Sequence, residues 1–308
     1  MSDYHLHLYP HRLHPSDPVP DGFPVDLIER YCEAAGALGV AELGFTEHLY
    51  RFEESDEALG RFWEADRGGG PAYRALADFT ARMVDLDRVF RIEQYVEAVL
   101  EAKDRGFPVL LGLEVDFIPG TEDAVLELLA PYPWDYLLGA VHWVGGWAID
   151  TSECAGEFER RGVEKSWEQY FGLVVEMIAS EVADVVAHVD LCKKYGYRPS
   201  REPVHLYEQV VEAAARKGVA VEVSSQGLRN PARQVYPSPV FLKMFRQAGI
   251  PITLASDGHA VSEVAWGRDQ VVEAAREAGY EVYLGMGGVS RQVPLPEIRA
   301  AAGGGGNG

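Results

Sequence analysis

Eight residues of metal-ligating type fall at or near the ends of short apolar runs. His5 and His7 lie in the first run, two apart, so they face one side of a strand. His48 ends the second in Phe-Thr-Glu-His, and Glu114 stands near the end of the third in Gly-Leu-Glu-Val-Asp. His142 and His188 end the fourth and fifth, and Asp257 and His259 close the seventh in Ser-Asp-Gly-His. Burying so many imidazoles and carboxylates without partners is costly. Metal ions remove that cost, because neutral imidazole and ionised carboxylate are their ordinary ligands. One Zn²⁺ takes about four ligands, so the set implies two or three divalent ions. None of the candidates is Cys, which points to hydrolysis by metal-activated water and away from a structural site. Imidazole with carboxylate suits Zn, Fe or Mn.

Parallel strands covered on both faces are the elements that would position such a set. Seven brief runs rich in Val, Leu and Ile qualify: residues 4–8, 40–45, 108–115, 136–141, 184–188, 219–223 and 251–255. Helical spacing fills the gaps over 25–38, 203–217, 241–247 and 262–278, and Gly39 stops the first of these. Repeated βα units imply a parallel sheet, open or closed. Active sites of such sheets form at the C-terminal strand ends, where these eight residues lie. Residues 51–70 break the rhythm: they are acidic and end in Gly-Gly-Gly. A pattern without Pro or Gly follows over 73–103 and predicts one long or two short helices. We read 1–298 as a single barrel domain in which 51–105 is an insertion or lid plus helices. Residues 299–308 are a flexible Gly-rich tail.

The chain has 308 residues, 47% hydrophobic and 25% charged, which are globular proportions. Its 28 basic and 48 acidic residues give a formal charge of -20. That balance repels nucleic acids and anionic membranes over most of the surface and argues against a nucleic-acid partner. Cys32, Cys154 and Cys192 are odd in number and far apart, so no disulfide framework is expected and a cytoplasmic location is. The N-terminus lacks the pattern of a signal peptide, and no run of about 18 apolar residues spans a membrane.

In order, His5-Leu-His7, Glu47-His48, Glu114, His142, His188 and Asp257-Gly-His259 resemble the signature of the polymerase-and-histidinol-phosphatase (PHP) superfamily. The stretches GLEVDFIPGTED, YPWDYLLGAVHWVGGWAID, AHVDLCKKYGYRP and SSQGLRNPARQVYPSP are most similar to its histidinol-phosphatase branch. The resemblance runs from residue 3 to about 265 and implies an α/β fold, a distorted (β/α)7 barrel. It implies a first metal on His5, His7, Glu114 and Asp257, and a second sharing Glu114 and adding His142 and His188. A third would use His48, His259 and one histidine of the loop after the first strand. His11 and His14 both qualify, with His11 favoured. Glu47 would orient His48 from behind.

The chemistry so implied is phosphomonoester hydrolysis on a small phosphorylated substrate. A metal-activated hydroxide attacks phosphorus in line while cations hold the other oxygens. Three divalent ions, two carboxylates and one hydroxide leave about +3 of formal charge, enough to draw phosphate into an acidic chain. Glu114, His142 and Asp257 are the catalytic candidates, with Arg229 as a guanidinium clamp on phosphate. Asp190 or a metal-bound water could protonate the leaving alcohol. Asp116, Trp143 and Tyr9 could receive a substrate ammonium or imidazole. Asp3 is either a support for the His-x-His or an exposed acid, and His205 is structural or on the surface. The resemblance implies L-histidinol phosphate as substrate. The alternative is another small phosphate, a nucleotide or an oligonucleotide end.

Overall fold

A computed structural model describes residues 1–287 and 291–297. The expected tail, 299–308, and residue 298 lie outside the described residues. Eleven strands are present among them: β1 (Ser2–Leu6), β2 (Glu42–Phe45), β3 (Val109–Asp116), β4 (Tyr136–Ala140), β5 (Trp143–Val144), β6 (Trp147–Ala148), β7 (Val185–Val186), β8 (Ala220–Ser224), β9 (Ile252–Ala255), β10 (Val282–Gly285) and β11 (Arg291–Pro294). Seven of them form one sheet in the order β1-β2-β3-β4-β7-β8-β9. Every neighbouring pair is parallel. The seven runs read from the sequence are these seven strands, some of them shorter than expected.

The sheet curls until its edges meet. Leu6 forms a parallel bridge with Gly258, and the His7 N–H donates to the Gly258 carbonyl at 2.8 Å. The result is a seven-stranded barrel closed by a narrow seam. Tyr136 runs beneath the strands, and its hydroxyl donates to the Tyr4 carbonyl at 2.6 Å. A Cβ on Gly44 would stand 1.8 Å from that hydroxyl, so only glycine leaves room for it.

Helices cover the outside. Val25–Leu38 ends at Gly39, whose φ of 71° is the left-handed stop the sequence announced. Val204–Lys217 ends the same way at Gly218. The helix expected over 262–278 starts later, at Arg268. Ala265 and Gly267 both have positive φ, and the Ala265 N–H is drawn to Asp3 at 2.7 Å. The 73–103 pattern forms two helices, Pro71–Asp87 and Ile92–Asp104. They break where the Phe90 N–H donates to the Arg51 carbonyl and the Glu53 N–H donates to the Phe90 carbonyl.

The acidic 51–70 segment is pinned to the barrel. Arg51 and Trp63 are buried, and Phe62 packs edge-on against Trp143. The Gly146 N–H donates to Asp66 at 3.1 Å, and the Thr80 hydroxyl donates to the Gly146 carbonyl at 2.9 Å. The β5–β6 hairpin is therefore clamped from outside. The three cysteines are free. Among the described residues no helix is long and apolar enough to cross a membrane.

Candidate functional site

Glu114 is the hub. It is fully buried on β3, and its Oε2 lies 3.3 Å from His5 Nε2, 3.6 Å from His7 Nε2 and 2.8 Å from His48 Nδ1. Its Oε1 lies 2.9 Å from His188 Nε2 and 3.4 Å from His142 Nε2. Five imidazoles from four different strand ends thus converge on one carboxylate. Asp257 joins from the end of β9, with Oδ1 3.7 Å from His5 Nε2 and 3.5 Å from His7 Nε2. Parallel pairing produces this convergence: β2 continues to a bridge between His48 and Glu114, and β1 meets the loop after β9 at the seam.

His259 stacks on His7 at 4.2 Å between ring centroids, and His48 stacks on the same ring at 4.4 Å. One ligand nitrogen from each of the three lies within metal-sharing distance of the others. The His11 ring sits 4.9 Å from both His48 and His259. Its Nδ1 is 2.9 Å from Asp87 and from the Tyr50 hydroxyl. His14 is not brought in. It is exposed, with Nδ1 on the Ser16 hydroxyl at 2.7 Å, in a turn that Asp17 fixes through the Leu13 and His14 N–H groups. His14→Ala should therefore leave turnover within about twofold, whereas His11→Ala should lower it by about tenfold or more. Steady-state rates of the two variants, measured side by side, check this.

The donor set fits divalent cations. His7 Nδ1, His48 Nδ1 and Nε2, Glu114 Oε2, His188 Nδ1 and His259 Nε2 are buried without hydrogen-bond partners among the described residues. Leaving such atoms bare costs about 1–3 kcal/mol each. Burial pushes His48 down to about 4 and holds His259 well below the ordinary imidazole range, whereas the burial of His5, His7 and His142 is outweighed by the carboxylates around them, which raise them above it. Burial alone would raise Glu114, but His48, His5 and His142 hold it well below the usual carboxylate range. Asp257 is kept ionised against its burial by His5 and His7.

Behind the ligand candidates stands a layer of acids. Asp116 accepts from His142 Nδ1 at 2.7 Å and from the Tyr50 N–H at 2.9 Å. It is wholly buried under the imidazole and does not line the cavity, so the substrate contact expected of it is replaced by a hold on His142. Asp116→Asn should lower kcat by about 10- to 100-fold, as losses of such supports do, with little change in KM. Kinetics and metal content measured on one preparation check it. Glu47 accepts the Leu8 N–H at 2.6 Å and pairs with Arg51 at 2.9 Å. It braces the first loop and His7, 3.8 Å away, where an orienting role toward His48 was expected. Glu222 was not anticipated. Its Oε2 meets His5 Nδ1 at 2.6 Å, and its Oε1 accepts the His188 N–H at 3.1 Å. The available signal was an acid inside the apolar run Val-Ala-Val-Glu-Val-Ser.

Arg229 does not line the cavity. One guanidinium nitrogen donates to the Ser256 and Asp257 carbonyls, each at 2.8 Å, and another pairs with Glu263 at 2.9 Å. Where a phosphate clamp was expected, the side chain braces the backbone at Asp257, whose φ is 51°. Asp190 does not line the cavity either; its Oδ2 accepts from Lys193 Nζ at 2.7 Å and from the Ser238 N–H at 2.8 Å. Asp3 is buried and accepts from Ser256 and Ala265, which ties β1 to the Asp257 loop. Tyr9 stacks on Phe90 and does not line the cavity, and His205 is exposed away from it. Trp143 does line it, edge-on to both His142 and Tyr50. The cavity has a volume of about 420 Å³, with His48, His142, His188, Asp257 and His259 at its floor.

Residues 21–226 match the family model described as PHP domain. A Deinococcus radiodurans protein named probable histidinol-phosphatase is 34% identical over 249 residues, which is 81% of this chain and 86% of that one. A Listeria monocytogenes protein provisionally named a histidinol phosphatase has the same fold, with TM-score 0.66 and 18% identity over 88% of this chain and 99% of that one. The Lactococcus lactis histidinol phosphate phosphatase, complexed with zinc, L-histidinol and phosphate, superimposes with TM-score 0.60 and 17% identity, covering 92% of this chain and 95% of that one.

Proposed function

The chain belongs to the PHP domain family, and on that premise we propose that it is a metal-dependent phosphomonoesterase that hydrolyses L-histidinol phosphate to L-histidinol and phosphate. The observation that carries this reading is the ring of five imidazoles on Glu114, opening into a cavity large enough for a small phosphate ester. The 34%-identical relative supports the substrate.

His5, His7, Glu114 and Asp257 would hold one divalent ion, and Glu114, His142 and His188 a second. His48 and His259, with His11 at the mouth, would serve a third. When bound, such ions supply positive charge for phosphate oxygens and make water acidic enough to attack at neutral pH. The chain's own part is preorganisation. Asp116 and Glu222 fix which nitrogens of His142 and His5 face Glu114. Arg229 fixes the backbone at Asp257. Trp143 and Tyr50 wall the cavity and limit water around the ester.

The test is phosphate release from L-histidinol phosphate beside other phosphomonoesters and short oligonucleotides, with metal content assayed on the same sample and His142→Ala as control. Preference for L-histidinol phosphate, lost in the variant, is the expected result. Activity on other phosphates alone would remove the substrate assignment and keep the chemistry.

A further inference from the structure

Asp87 is the last residue of the helix Pro71–Asp87, in the part of the chain that breaks the βα rhythm, yet its carboxylate reaches the loop after β1. That carboxylate is buried and gathers donors from three separate segments. Its Oδ2 lies 2.9 Å from His11 Nδ1, accepts the Tyr50 hydroxyl at 2.9 Å and lies 3.2 Å from Arg51 Nε. Its Oδ1 accepts the N–H of Arg12, the next residue after His11, at 3.0 Å. One acid thus holds both the ring of His11 and the backbone beside it. The helix end that carries this acid is fixed in turn. Arg88 Nε donates to the Tyr50 carbonyl at 3.2 Å, and the Val89 N–H donates to the Arg51 carbonyl at 3.1 Å.

These contacts decide which nitrogen of His11 carries a proton. Nδ1 stands 2.9 Å from both Asp87 Oδ2 and the Tyr50 hydroxyl oxygen. An ionised carboxylate only accepts, so a bare Nδ1 would set two lone pairs against each other there. Nδ1 is therefore the donor, and Nε2 is the nitrogen left to bind a cation. A metal-ligating imidazole whose other nitrogen is held by a carboxylate has this arrangement. The His11 side chain is 36% exposed, so burial alone does not fix its ring. The ring is nonetheless kept 4.9 Å from those of His48 and His259, whose Nε2 atoms are buried without hydrogen-bond partners among the described residues.

Resting on the metal-dependent reading of this site, we propose that Asp87 is the positioning residue that makes His11 a ligand of the third ion, with Tyr50 locking the pair. The 51–105 segment then builds part of the metal centre and is more than a cover over it.

The experiment loads the full chain with zinc, challenges it with graded EDTA, and counts the zinc retained per chain. Wild-type enzyme should hold three equivalents. His11→Ala should weaken one of them by about 10- to 100-fold and spare the other two, and Asp87→Asn should weaken the same one by a similar factor. Tyr50→Phe removes only a hydroxyl and should weaken it by about two- to tenfold. Neither Asp87→Asn nor Tyr50→Phe should add to the loss once His11 is alanine, because both act through that ring. A general loss of fold stability would instead weaken all three equivalents together. Wild-type retention in Asp87→Asn would overturn the proposal, as would losses that add to that of His11→Ala. Asp87 also faces Arg51, so if Asp87→Asn does not fold, the Tyr50→Phe and His11→Ala pair decides: additive losses overturn the proposal. A wild-type chain that holds only two equivalents would overturn it without any variant. Phosphate release from L-histidinol phosphate is assayed on the same loaded samples. Its absence from zinc-loaded wild-type enzyme would remove the phosphomonoesterase reading and leave the retention result to decide the role of Asp87.

Discussion

Glu114→Gln should abolish phosphate release to within about 10⁻³ of the wild-type rate or lower. The effect is expected to be that large because one carboxylate faces His5, His7, His48, His142 and His188 at distances between 2.8 and 3.6 Å. The amide removes the negative charge that offsets cations at two neighbouring positions, and it turns one acceptor oxygen into a donor aimed at imidazole nitrogens. Metal content should fall with activity, since affinity and catalysis share this ligand. A variant that keeps its full metal complement and more than about a tenth of its activity would remove Glu114 from the centre of the site.

Arg51→Met should give the largest loss of stability. Arg51 is fully buried between Glu47 at 2.9 Å and Asp87 at 3.2 Å, and it also donates to the Tyr9 and Pro10 carbonyls. Methionine fills much of the volume but leaves two buried carboxylates facing each other without a cation. Breaking a buried pair this way costs about 3–5 kcal/mol, or roughly 10 °C in Tm for a chain of this size. Activity should fall as well, because Asp87 and Glu47 hold His11 and the first loop.

The pH dependence follows from the same triad. Burial would raise Glu47, but Arg51 holds it down to about 2, against an ordinary value of 4.5. A depressed acid contributes its full stability above its unfolded value and loses it as pH falls toward the folded one. The wild-type Tm should therefore drop between about pH 4.5 and about pH 2. The Arg51→Met variant, already lacking the pair, should show a flatter decline, so the two curves approach each other in acid. Calorimetry across that range decides it. Parallel curves would mean that Glu47 gains nothing from Arg51.

The reach of the sequence is clear from particular residues. The strands were legible because each is a short run whose signal is local, and the ligand candidates because a βα repeat places them at the same sheet edge. The break at Arg88–Arg91 was half legible: the helical pattern continues through it, and what interrupts it is pairing with Arg51 and Glu53, far back in the chain. The choice between His11 and His14 rested on two residues of one loop. What the structure adds is Asp87, 76 residues from His11 in sequence, which bonds His11 beside His48 and His259 while His14 stays exposed.

Arg229 and Asp116 illustrate the same limit from the other side. Their types suggested substrate contact, yet a guanidinium binds two carbonyls as readily as two phosphate oxygens, and a carboxylate beneath an imidazole binds the imidazole. Residue type fixes what a side chain can bond; only the closed barrel decides which partner reaches it first. By itself the sequence determined the barrel's strands, the inventory of imidazoles and carboxylates, and their assembly at one edge, because those follow from periodicity and chain order. The tertiary structure alone decided that Glu222 lies behind His5 across 217 residues and that Arg51 bridges Glu47 and Asp87. Those are pairings of charges between distant elements, set by packing in three dimensions and carrying no periodic signal along the chain.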